Sequence, residues 1–134
     1  MGKAEDLAVF QKLLGEYGPL FSAGDVSKLV PFWTDDFTMM PANEPTAAGK
    51  EACRKWHANH FEQFSGQWTL SPDEAEIAGD WAFVRIFVTA RTTLKASGEP
   101  IQATARMFTI FKRAPDGAWK WHRCMWNSDK PLPG

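Results

Sequence analysis

The chain has 134 residues, 44% hydrophobic and 13% aromatic, which suits one domain spanning 1–134 that buries roughly two thirds of its unfolded surface. Fifteen Lys and Arg against sixteen Asp and Glu leave a formal charge of −1. No global field therefore favours nucleic acid or an anionic membrane, and a small molecule or another protein is the expected partner.

Residues 5 to 21 carry Leu7, Phe10, Leu13, Leu14, Tyr17 and Phe21 at spacings of three and four, the pattern of an amphipathic helix ending at Ser22-Ala23-Gly24. Asp25 can cap a short second helix through Phe32, and Thr34-Asp35-Asp36 leads into a brief strand, Phe37 to Met40, closed by Pro41. A loop from Ala42 to Gly49 precedes a third helix, Lys50 to Phe64, with the stripe Cys53, Trp56, His57, His60, Phe61 and Phe64. From Gly66 the period changes to two. Strands are expected near 67–77, 81–95, 100–113 and 118–127, joined by Ala78-Gly79-Asp80, Ser97-Gly98-Glu99 and Pro115-Asp116-Gly117. Helices followed by a meander predict an α+β domain in which one curved antiparallel sheet, cone-shaped, wraps around three N-terminal helices.

The strand 81–95 sets Ala82, Val84, Ile86, Val88 and Ala90 against Trp81, Phe83, Arg85, Phe87, Thr89 and Arg91. Neither face reads as solvated. The expectation is that one is covered by the helices and the other by a second copy, giving a homodimer. Met1 to Asp6 carries acidic residues where a signal peptide needs an apolar run, and no stretch reaches the ~18 apolar residues of a membrane span; a cytoplasmic protein is expected. Cys53 and Cys124 are expected reduced, since a chain this rich in core residues needs no disulfide framework.

Several short motifs resemble the SnoaL-like members of the nuclear transport factor 2-like superfamily: Glu16-Tyr17, Ala23-Gly24-Asp25, Phe32 to Pro41, Gly49 to Ala52, Ala78 to Ala82 and Asp116 to Lys120. The resemblance implies a cone-shaped sheet and helices around a deep pocket, with no cofactor. It covers isomerases, cyclases, dehydratases and hydrolases as well as non-catalytic binding and association domains. Tyr17 falls where the ketosteroid isomerases keep an oxyanion-hole tyrosine. Pro41 stands where their general-base aspartate is expected, and Arg106 aligns with their second pocket acid. That alignment turns Arg85, Phe87, Arg106, Phe108, Arg123, Met125 and Asn127 toward the pocket. Three inward arginines would need an anion: a ligand carboxylate suits their planar fork, and the alternatives are pairing of Arg85 and Arg123 with acids such as Glu74 or Glu76, or an outer-face position should the strand phase shift by one residue.

The expected catalytic set is Tyr17 and Arg106, stabilising charge on a carbonyl or carboxylate substrate, with His60 moving a proton because imidazole titrates near neutral pH. Trp33 and Trp56 are candidate ligand platforms, with core or dimer contacts as their alternative. Cys53, His57 and His60 share a helical face at metal-compatible spacing, but three ligands from one helix are unusual and no metal is expected. Glu44 is the carboxylate nearest the missing base, and a loop acid is usually only solvated.

Overall fold

In this computed structural model, which describes residues 2–130, the opening apolar stripe forms α1 (Lys3–Ala23). The helix stops where Gly24 adopts φ 75° and returns its N–H to the carbonyl of Phe21, a left-handed conformation glycine takes without a Cβ clash. The expected second helix is instead two consecutive 3₁₀ turns, Val26–Lys28 and Val30–Phe32. Asp25 caps the first through the N–H of Ser27, and Pro31, which has no N–H to give to the Ser27 carbonyl, keeps the two turns from merging into one α-helix. Two strands follow, β1 (Trp33–Met40) and β2 (Ala47–Ala48), then α2 (Lys50–Gln63) and the long strands β3 (Phe64–Ala78), β4 (Trp81–Leu94), β5 (Glu99–Arg113) and β6 (Trp119–Asn127).

The six strands make one curved, unclosed sheet in the order β2-β1-β6-β5-β4-β3. Every pairing is antiparallel except β1 with β6, which run parallel. Helix α1 lies across β3 and α2 against β1, both on the concave side.

Two faces of the sheet divide sharply, and the division reverses the sequence expectation. Ala82, Val84, Ile86 and Val88 of β4 point inward and are buried, opposite Phe111, Thr109, Met107 and Ala105 of β5. Arg85, Phe87, Arg106 and Phe108 alternate with them and face out. In β6 the alternation itself breaks. The β5–β6 register shifts between Ile110 and Phe111, so that Arg123 pairs with the first and Trp121 with the second, leaving His122 as the extra residue of a β-bulge. Trp121, Cys124 and Trp126 all consequently turn toward the concave side.

At the narrow end the concave side is solid: Phe10, Leu14, Phe111, Val84 and Ile86 are sealed together, with Phe10 and Phe111 rings 4.8 Å apart. Toward the other end the same inward rows shrink to Ala90 opposite Ala103 and Val88 opposite Ala105. Small side chains on facing strands cannot reach the helices, and a hollow remains.

Candidate functional site

The hollow has a volume of about 540 Å³, within the size range of small-molecule sites. Its walls come from α1 (Tyr17, Phe21), α2 (Trp56, His57, His60), β3 (Trp68, Leu70) and the inward rows of β4, β5 and β6. Ala42, Asn43 and Glu44 of the β1–β2 loop, with Asn127 at the end of β6 and Ser128 just past it, contribute the more polar part of the lining.

Tyr17 is buried in this wall, edge-on to Phe32 and tilted against Trp121. Its hydroxyl oxygen accepts the indole N–H of Trp33 at 3.0 Å, and the hydroxyl proton has no acceptor among the described residues. Burial pushes the phenol well above its ordinary pKa, with the Trp33 bond opposing. Tyr17 is therefore a neutral donor whose oxygen is already polarised by the Trp33 indole N–H. Trp33 itself is 1% exposed and lies behind the wall; it orients Tyr17 and is not a ligand platform.

His60 lines the hollow with its ring stacked on Trp56 at 5.1 Å and 10°, and its Nε2 is buried without a hydrogen-bond partner among the described residues. Burial pulls its pKa down to about 4, so at neutral pH it is an unprotonated imidazole of low basicity. His57 behaves alike. Its Nδ1 donates to the carbonyl of Cys53 at 2.7 Å, and burial again lowers the pKa to about 4. The Nε1 of Trp121 is a further buried donor without a partner among the described residues.

Both thiols are free and buried. Cys53 Sγ lies 3.3 Å from the carbonyl of Phe37 and 3.4 Å from that of Ala47, and burial raises its pKa to about 11 and that of Cys124 to about 12. Neither is a poised nucleophile. Among the described residues no group of three His, Cys, Asp or Glu side chains converges as a metal site, Cys53, His57 and His60 included.

Of the residues singled out from sequence, Tyr17, His60, Trp56 and Asn127 meet around the hollow, whereas Arg85, Phe87, Arg106, Phe108, Arg123 and Met125 do not line it. The arginines find their partners on the outer face or, for Arg106, at the rim. Arg85 lies 3.4 Å from Asp73 and 3.5 Å from Glu74. Arg123 donates to the backbone carbonyl of Asp36 at 2.9 Å, and Arg106 donates to Oδ1 of Asn127 at 2.6 Å. The physical reason is desolvation: a guanidinium cannot discard its proton, so with an aliphatic row available on the same strand, the arginine row takes the wet side. The wall residues missed from sequence include Val88, Ala90, Ala103, Ala105 and Trp121. An uninterrupted small aliphatic row was the signal for the first four; the direction of Trp121 was not legible, because the bulge at His122 is invisible to simple alternation.

A curved, open sheet folded over helices around one hollow defines the cystatin-like, nuclear transport factor 2-like class of α+β protein. Within it, the sequence matches the model of the SnoaL-like domain over residues 16–122, and the chain belongs to that family. It is similar to a ketosteroid isomerase-like protein from Erwinia carotovora atroseptica, with 26% identity, 95% of this chain and 98% of that one covered, and a TM-score of 0.84. At 10% identity it shares the fold of a nuclear transport factor 2-like protein from Salmonella enterica, covering 97% of this chain and 95% of that one at a TM-score of 0.82. A provisionally assigned dehydratase of the same fold family from Streptomyces avermitilis is 15% identical, with 92% and 97% of the two chains covered and a TM-score of 0.74. No curated protein matches the sequence. Among the described residues no helix is long and apolar enough to cross a membrane.

Proposed function

We propose that the hollow binds a small, largely hydrophobic molecule carrying a carbonyl group, with the Tyr17 hydroxyl donating to the carbonyl oxygen. The observation that carries this reading is the free hydroxyl proton of Tyr17 in an aromatic and aliphatic wall without a lysine or arginine. A carboxylate ligand, which the outward turn of Arg85, Arg106 and Arg123 leaves without a cation among the wall residues, is disfavoured. In the catalytic form of this proposal Tyr17 stabilises a developing enolate and His60 carries the proton, the chemistry of a cofactor-independent isomerase or dehydratase. One observation favours a binding-only role instead: with a pKa of about 4, His60 is a weak base, and the wall's one carboxylate is Glu44.

A neutral ketone, 2-acetylnaphthalene, and its hydrocarbon counterpart, 2-isopropylnaphthalene, test both parts. Wild-type protein is expected to prefer the ketone, and Tyr17→Phe to lose about fivefold of ketone affinity, the size of one net hydrogen bond, with the hydrocarbon unaffected. Exchange of the ketone methyl protons with deuterium oxide, followed by NMR, then separates the roles. Acceleration that disappears in His60→Ala supports catalysis; binding with no acceleration supports the binding-only role. Failure of both probes to bind would refute the ligand assignment.

We also propose that two copies pair through the outer face of β4, β5 and β6. Phe87, Phe108 and Met125 are 42%, 49% and 46% exposed there, and Arg85 and Arg106 sit opposite Phe108 and Phe87 in the ladder. Alternating rings and guanidinium groups can complement themselves across a two-fold axis.

A further inference from the structure

The charge pattern of the hollow has a direction. Two imidazoles apart, Glu44 is the one acidic or basic side chain among its lining residues. It sits on the β1–β2 loop and is exposed, so it lies toward solvent, whereas Tyr17 is buried in the wall. Its Oε1 accepts the indole N–H of Trp56 at 3.2 Å, which leaves Oε2 with no partner among the described residues. Trp56 stacks on His60 on one side, and its ring meets Trp126 at 5.4 Å and 74°. The mouth therefore combines an oriented carboxylate with two indoles, an arrangement that accepts hydrogen bonds and attracts positive charge. Arg106 does not line the hollow and reaches its rim through Asn127, whose Oδ1 it occupies.

We propose that the ligand is two-ended, with a hydrogen-bond donor group, best a protonated amine, projecting past Trp56 to the free oxygen of Glu44 while the apolar body fills the hollow. This rests on the ligand-binding reading above and adds to it the chemistry of the end that faces solvent. An anionic group at that end is selected against by the same carboxylate.

The test is a charge series on one apolar scaffold: 2-(2-naphthyl)ethylamine, 2-(2-naphthyl)ethanol and 2-naphthylacetate, titrated by calorimetry at pH 7.5 in low and in high salt. Wild-type protein is expected to bind the amine about three- to tenfold more tightly than the alcohol, the size of one exposed ion pair with an indole beside it, and the acetate least. High salt should shrink the order. Glu44→Gln keeps an oxygen for the Trp56 N–H and, at an exposed position, leaves the fold intact; it should bring amine and alcohol together. An acetate that binds as well as the amine, or an order that survives Glu44→Gln, overturns the proposal even if all three probes bind and the ligand-binding reading stands. If neither this series nor the naphthyl ketone binds, both fall together.

Discussion

Acid should loosen this protein well before its carboxylates are protonated, because α2 buries two imidazoles. His57 is 3% exposed and enclosed by the rings of Trp33, Trp56 and Phe61. Burial, with a smaller contribution from neighbouring His60, lowers its pKa from 6.5 to about 4. In the unfolded chain the imidazole returns to about 6.5. Between these values the unfolded state binds more protons than the folded one, so stability is complete above about pH 6.5 and drains away as pH falls toward 4. At roughly 1.36 kcal/mol per pH unit, the ceiling is about 3 kcal/mol for His57. His60, also lowered to about 4, adds less because it is less buried and because the two sites titrate as neighbours. Urea unfolding at half-unit steps from pH 7.5 to 4.5 reads this directly. The midpoint is expected to fall steadily below pH 6.5 in wild type and more gently in His57→Gln. Stability that stays flat from pH 7 to 5, or a slope unchanged in the His57→Gln/His60→Gln double variant, would refute the argument.

Gly66 has φ 144°, and an added Cβ would lie 2.3 Å from the carbonyl oxygen of Arg91 and 2.7 Å from the Cα of Thr92; Gly66→Ala should cost at least ~3 kcal/mol in chemical denaturation, since the obstruction is backbone. Arg106→Ala, on the outer face, is expected to change stability by less than ~1 kcal/mol and to leave the affinity for 2-acetylnaphthalene unaltered in calorimetry. If two copies pair as proposed, wild type sediments as a dimer and Phe108→Asp as a monomer, with the circular dichroism spectrum of the variant that of wild type. Ala105→Phe fills the hollow from β5 and should abolish binding of both naphthalene probes with the thermal midpoint kept or raised, a combination that thermal melting and titration together detect.

Local pattern determined the long elements. The three-and-four spacing of Phe10, Leu14, Tyr17 and Phe21 specified α1, Gly24 its end, and the turns at Gly79, Gly98 and Gly117 the breaks between β3, β4, β5 and β6. It also placed Tyr17 and His60 on the stripes of their helices, and both line the hollow. Where each strand's side chains point was a tertiary decision. Two alternating rows in β4 are equally periodic, and a helix could cover either one; the cost of hiding three guanidinium groups sends the Val84 row inward and the Arg85 row to water. The short strand β2, the parallel pairing of β1 with β6 and the bulge at His122 likewise depend on chain segments far apart in sequence. That bulge turns both Trp121 and Cys124 into the hollow, because one extra residue in a strand resets which face every later side chain occupies.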